Sequence, residues 1–456
     1  METKTKTFES FRDELFAQAK TKGFVDYEIF YVSGNDFSVR VLNGSIEEYK
    51  NTSNEGIGFR GTFEGKMGYA YTEKLSEDII IPLLENAMAN AQIIEDEDVE
   101  VLYPGDESYP EVDGYSDVLN SMEASEKIQL ALDMENYAKS LDPRIKIIDY
   151  CTVITGDKHS AIANSYGLNV NQKNNIGAAF FIARVEENGS VKSASDYWTG
   201  RDFKNFDYKV FAKKVVDEAL ALLGAESIPS GEYPVILDKS VASDIVEGFS
   251  SVFMADKAQK GFSLLNKDKV GEEIAASIVT IRDDGVTDLS LGSLAFDAEG
   301  VATQNKAVVE NGILKTMLYN TKAATKDGVK STGNASKAGL GGAIETSVTN
   351  FYVVPGETSF DDMVSGLEKG VYITDVAGLH SGMNPVSGDF SVSADGFLIE
   401  DGKISRPVEQ ITVAGNFYEL LKNIKTIGND LRIYSFGSGG IGMPSLLISG
   451  LNISGL

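Results

Sequence analysis

One cysteine in 456 residues, Cys151, excludes a disulfide framework and any multi-cysteine zinc or iron–sulfur site, and suits a reducing compartment. The cytoplasm is the expected location. Only two histidines occur, His159 and His380, in different halves of the chain, so no His-Glu-x-x-His helix can exist. Positive charge is scarce as well. Against 68 Asp+Glu stand 41 Lys+Arg, and the net charge of −27 repels phosphate backbones and anionic lipid. No nucleic acid or membrane partner is expected. The longest apolar runs, such as 79–84, fall far short of the roughly 20 residues of a membrane span. Met1 to Lys6 lead into an amphipathic pattern with no apolar leader, so no secretory signal is expected. A Gly-x-Ser-x-Gly elbow is absent, and neither 339–342 nor 437–440 has phosphate-loop spacing, which leaves turns as the reading of both glycine clusters.

What is present has the periodicities of a mixed fold. Phe8, Phe11, Leu15, Phe16 and Ala19 share a helix face, with Gly23 placed as its C-terminal cap. Phe37, Val39 and Val41 alternate up to Asn43-Gly44, a type I′ hairpin signal. Strand-like text from Gly56 to Tyr71 looks broken into short pieces by glycines, and a helix with Leu83, Leu84, Ala87, Met88 and Ala91 ends a small unit near Ile94. Residues 75–126 contain no Lys or Arg, and about 95–118 reads as a solvated acidic connector. Beyond it, Asn120 and Glu123 suggest a reciprocal cap for a helix that stops at Pro143. Strands over 145–154, 161–165, 169–173 and 176–185 then form a meander, with His159 in a turn at its surface. A helix through Val215 and Leu222 leads into Pro229, Gly231 and Pro234, where the domain boundary is placed. Hairpin signals at Asn311-Gly312 and Asp401-Gly402 make the remainder β-rich.

The densest cluster of chemistry runs from Gly378 to Ser391 and holds His380, Ser381, Asn384 and Asp389 among three glycines. A functional loop on a rigid β scaffold would look like this. So would a tight turn built by the glycines and Asn384-Pro385, with Asp389 capping backbone amides. If the segment is extended, His380 and Ser381 point to opposite faces and cannot form a dyad directly.

That loop, followed by 394–402 and by Pro407-Val408-Glu409-Gln410-Ile411-Thr412-Val413-Ala414-Gly415-Asn416, resembles the C-terminal signature of the TldD/PmbA family of peptidases, also named modulators of DNA gyrase. Phe296-Asp297-Ala298-Glu299-Gly300, Leu318-Tyr319-Asn320-Thr321, Ser331-Thr332-Gly333-Asn334-Ala335 and Met443-Pro444-Ser445 fall in that family's order. The resemblance covers nearly the whole chain. TldD-like members carry a zinc-binding His-Glu-x-x-x-His helix and a late cysteine. The matching stretch here resembles Val246-Glu247-Gly248-Phe249-Ser250-Ser251, which keeps only the acid, Glu247, and no cysteine follows Cys151. The chain is therefore similar to the PmbA, or TldE, branch.

The expected fold is α+β: an N-terminal region of helices and antiparallel strands over 1–227, then a β-rich domain over 228–456. The resemblance implies a non-catalytic subunit of a zinc metallopeptidase system that cleaves unfolded peptides, with no cofactor in this chain and zinc in a TldD-like partner. A homodimer is the other assembly expected. His380, Ser381, Asn384, Asp389 and Glu247 are the candidate chamber-lining residues, and no metal ligand or catalytic residue is assigned. Two alternatives stay open: an acidic protein that binds a basic partner such as a topoisomerase, and an independent hydrolase with a cryptic site.

Overall fold

The computed structural model describes residues 6–94, 100–435 and 439–456. Helix α1 (Phe8–Thr21) starts at Thr7, whose hydroxyl accepts the Ser10 N–H, and buries the Phe8, Phe11, Leu15 and Ala19 face that its period marks out. Strands β1 (Tyr27–Leu42) and β2 (Ser45–Phe63) follow, joined by Asn43 and Gly44 at φ 53° and 74° as a type I′ turn requires. After β3 (Lys66–Thr72) and helix α2 (Glu77–Ile93) comes helix α3 (Ala124–Lys139). Its capping box is Glu123 with Glu126, which corrects the expected Asn120–Glu123 pair. Asn120 instead bonds the side chains of Tyr115 and Asn175.

The meander comprises β4 (Ile145–Asn164), β5 (Asn169–Glu187) and β6 (Ser190–Gly200), followed by helix α4 (Tyr208–Ala221). One six-stranded antiparallel sheet of order β3-β2-β1-β4-β5-β6 unites both halves of this region, so the small unit ending near Ile94 is one end of a continuous sheet, with a hydrophobic core separate from that of the other end. Strand alternation gives the sheet two unlike faces. Odd-numbered residues, among them Ile29, Tyr31, Val39, Val153, Ala161 and Phe181, are buried beneath α1 and α2 at one end and α3 and α4 at the other. Even-numbered residues of β1, β2 and β5, and of β4 from Thr152 on, face the C-terminal half; the parity reverses across the β2–β3 and β5–β6 pairings, so Gly68 and Trp198 lie on the helix face.

Two expectations fail within this sheet. Gly58 and Gly61 do not break β2, and Gly68 lies inside β3; only Glu64-Gly65 turns the chain. A Cβ on Gly68 would sit 2.0 Å from the Ala87 carbonyl oxygen of α2, and one on Gly58 would sit 2.4 Å from the Leu340 oxygen. These glycines permit close approach rather than reversal. His159 lies in the middle of β4 opposite Ser33, its ring edge-on to Tyr31 at 5.6 Å, because β4 runs unbroken where two shorter strands were expected. Burial, then the Lys173 charge, pushes its pKa down.

Part of the acidic connector, 95–99, lies outside the described residues, as do two positions of the 437–440 glycine cluster. The rest is tied down. Leu102 is buried, Tyr109 donates to the Gly300 carbonyl (2.8 Å), and Asp106 accepts the Ala302 N–H (2.8 Å), so aromatic and apolar residues anchor a segment whose charge suggested a solvated loop.

The C-terminal half starts with β7 (Gly231–Leu237) and helix α5 (Lys239–Phe249), then β8 (Ile281–Asp284), β9 (Asn305–Glu310) and β10 (Ile313–Leu314). A hairpin, β11 (Ala335–Lys337) and β12 (Ile344–Thr346), precedes β13 (Asn350–Val353). Strands β14 (Lys369–Ala377), β15 (Asp389–Glu400), β16 (Lys403–Asn416), β17 (Ile424–Ile427), β18 (Arg432–Tyr434), β19 (Gly440–Met443) and β20 (Leu446–Ser454) complete it. Strands β16-β15-β14-β7-β20 close into a ring through β16–β20 pairing, and β10-β9-β8-β13-β19-β18 form a second sheet. Closure removes the exposed edges of the first. Helix α5, capped by Asp238 at the Ser240 N–H, packs Val241, Ile245, Val246 and Phe249 into the core between them. The observed architecture is α+β.

Candidate functional site

The Gly378–Ser391 segment projects from the ring between β14 and β15. It is not extended at its start: Leu379–Gly382 form one helical turn after Gly378, which has φ 84°. His380 and Ser381 are therefore consecutive on that turn, and the Ser381 hydroxyl donates to the Gly378 carbonyl (3.2 Å). Asn384, not Asp389, caps the backbone, accepting the N–H groups of Val386 (3.0 Å) and Ser387 (3.3 Å). Asp389 accepts the side-chain amide of Asn416 at 2.9 Å, and this bond, with that from Ser387, holds its carboxyl below the usual range. An Asn before Pro is already placed for an Asx turn, whereas Asp389 opens a strand opposite Asn416.

His380, Ser381, Asn384 and Asp389 are all exposed on this one loop. Glu247 is exposed on α5, the helix that packs on this turn. Met383 packs on Gly248, where a Cβ would lie 2.5 Å from the methionine Cε, so the glycine lets loop and helix meet. No described hydrogen bond links Glu247 to His380. The outer face of α5 is acidic: Asp244, open at the surface yet surrounded by protein mass, is pushed up to about 6 by desolvation, then by Glu247, Asp375 and Asp238. Beyond it the two halves meet. Arg432 of β18 pairs with Asp196 of β6 (2.9 Å) and lies against the rings of Tyr197 and Tyr434 at 5.2 and 4.7 Å, the two rings meeting edge-on, while Lys214 of α4 also pairs with Asp196 (2.7 Å).

At the positions that resemble the metal helix, Val246 is buried among apolar residues, Glu247 is exposed, and Ser251 follows the end of α5 in a short 3-10 turn. Among the described residues, no three His, Cys, Asp or Glu side chains gather as a metal site would need. Cys151 is buried beneath α3, its thiol donating to the Ala131 carbonyl (3.2 Å), and burial pushes its pKa up.

Sequence reasoning missed a second polar centre. Arg60 of β2 and Glu28 of β1 are buried on the even face and paired at 2.8 Å, and Glu299 of the C-terminal half lies 3.8 Å from the same guanidinium. Glu299 accepts the Thr321 N–H (2.7 Å), and Asp297 accepts the N–H groups of Glu299, Val301 and Ala335. Three motifs that carry the family resemblance, at 296–300, 318–321 and 331–335, converge here. The signal available in sequence was those motifs' acids. Their partners on β1 and β2 lie more than two hundred residues away.

Residues 27–91, 117–223 and 230–455 match domain 1, the central domain and the C-terminal domain of the PmbA/TldA metallopeptidases. A Thermotoga maritima protein described as a modulator of a DNA gyrase has a similar structure, with a TM-score of 0.89 and 32% identity over 98% of this chain and 100% of that one. The metalloprotease PmbA homolog of Haemophilus influenzae is 28% identical, covering 95% of this chain and 93% of its own. The metalloprotease TldD homolog of Buchnera aphidicola is 26% identical, covering 94% and 93%. Overall identity thus does not separate the two branches.

Proposed function

The chain belongs to the PmbA/TldD metallopeptidase family, and from that premise we propose that it is a PmbA-type subunit that shapes a peptide chamber for a TldD-like catalytic partner. The observation that carries this reading is the donor set on α5. A zinc site needs three protein ligands with an open position, and a buried Val246, an exposed Glu247 and a Ser251 do not fit one. Polarisation of the scissile carbonyl and activation of water would then fall to the partner. The exposed loop of His380, Ser381, Asn384 and Asp389, next to the acidic face of α5, would line the chamber on this chain's side.

Elemental analysis of the dialysed, isolated chain tests the reading, with substoichiometric zinc expected. Stoichiometric zinc that survives dialysis would overturn it. Mixing with a TldD-like chain should yield peptide turnover that this chain alone does not give.

A further inference from the structure

The even-numbered face of β1, β4 and β5 has no helix over it. Opposite lie 291–298, Thr303, the β11–β12 hairpin and 347–349, and between the two walls is a cavity of about 400 Å³. That volume is in the range of small-ligand sites. Lys158 enters it from β4 and Lys337 from β11. Neither ammonium has an ion pair or hydrogen bond with a described residue. Lys337 rests over the Phe30 ring, its Nζ 5.3 Å from the centroid.

The cavity's carboxylates do not neutralise these lysines. Asp36 accepts an amide of Asn54 (3.3 Å), Asp157 accepts one of Asn35 (3.0 Å), and Asp297 is held by three backbone N–H groups. Protein mass around Lys158 pushes its pKa down with no opposing charge. Lys337 is pushed down to about 8, by burial and then by the Arg60 guanidinium, against a smaller pull from Glu28. In a chain of net charge −27, two such cations at one cavity call for an anion.

Their spacing narrows the class. Phe30, beneath Lys337, and Gly34, opposite Lys158, are four residues apart on β1, or about 13 Å at ~3.3 Å per residue. Side chains rooted that far apart suit a ligand with two separated anionic groups better than one compact anion, and the first and last side chains of five extended residues have that spacing on one face. Ser160, Ser336 and Ser347 place hydroxyls along the cavity walls, suited to peptide N–H and C=O groups. We propose that this cavity binds a short acidic peptide laid along the strands, with one carboxylate on Lys158 and another on Lys337. The proposal rests on the peptidase-family reading and names a ligand site distinct from the His380 loop.

Calorimetric titration of the full chain with N-acetylated, C-terminally amidated Glu-Gly-Gly-Gly-Glu, whose two carboxylates are four positions apart on one face of an extended peptide, tests it, with the identically capped Gln-Gly-Gly-Gly-Gln peptide and inorganic phosphate as separate arms. The acidic peptide should bind, and the neutral one at least about tenfold more weakly, as loss of charge-assisted contacts implies. Lys158→Gln and Lys337→Gln should each weaken the acidic peptide by about tenfold, while Lys158→Arg, which keeps the charge, should not. The melting temperature of each variant shows whether the fold survives, and Lys158 is open enough at the cavity mouth for its variant to fold. Equal binding of both peptides, no binding of the acidic one, indifference to all three variants, or phosphate competing as well as the peptide would each overturn the proposal. The titration needs neither partner nor zinc. Failed binding beside an active reconstituted pair sinks this site alone, and binding by a chain that never supports turnover sinks the subunit reading alone.

Discussion

Arg60 carries its charge into a place that water does not reach, with Glu28 on its own sheet and Glu299 across the boundary between the two halves. Burying a guanidinium is tolerable only because carboxylates surround it, and removing one member strands the others. Arg60→Met should therefore lower stability by about 3–5 kcal/mol, read by denaturant unfolding. A loss below ~1 kcal/mol would mean that water or rearrangement compensates the acids. Asp297 adds a pH signature. Burial first, then the Glu299 charge, raises its pKa to about 8, against the pull of three backbone N–H groups. A carboxyl with a raised folded-state pKa favours the fold fully below its unfolded pKa near ~4 and loses that contribution as pH rises through its folded value. Unfolding free energy should thus decline between pH 5 and 9, and Asp297→Asn, though less stable overall, should show a flatter decline. Parallel profiles for the two proteins would count against this assignment.

At the scale of elements, close approach sets the geometry more than hydrogen bonding does. Gly68 lets α2 lie on β3, and Gly58 lets the loop after β11 lie on β2. Gly68→Ala places a methyl group against the Ala87 carbonyl and should cost about 1–3 kcal/mol as overpacking does, seen as a lower thermal midpoint; an unchanged midpoint would show that α2 shifts freely. Helix α5 poses the opposite case. Val246 is 3% exposed in the C-terminal core, so Val246→His with Ser251→His must bury an imidazole where no partner waits. We expect a stability loss of about 1–3 kcal/mol, weak zinc binding and little peptidase activity. Robust cleavage by that double variant would show that the rest of a catalytic site is intact.

Across the whole molecule, the two halves are joined by charge and aromatic contacts as well as by chain. Arg432 with Asp196, Tyr197 and Tyr434 forms one clamp, Arg60 with Glu28 and Glu299 another, and the cavity lies where the polar sheet face is left uncovered. The His380 loop stands apart from both, built on its own hydrogen bonds. Replacing His380 and Asp389 together by Ala should change unfolding free energy by no more than about 0.5 kcal/mol, as for exposed substitutions generally, while lowering peptide turnover by a reconstituted pair. Unfolding of that variant would make the loop a structural turn only.

The amino-acid sequence by itself determined the elements whose signals are local. The face of α1, the Asn-Gly and Asp-Gly hairpins and the family motifs follow from side-chain period and from residues that tolerate positive φ. Where a residue's role depends on a distant neighbour, local text misled. Gly58, Gly61 and Gly68 read as breaks because nothing nearby reveals the backbone that presses on them, and His159 read as a turn because its pairing partner is on β1. Asp297 and Glu299 were visible as motif residues, but Arg60, Glu28, Lys158 and Lys337 acquired meaning only when folding brought them to the boundary between the two halves. Charge on a strand is unremarkable in water. Only the tertiary structure, by removing that water, decides which charges must find a partner and which are left waiting for one.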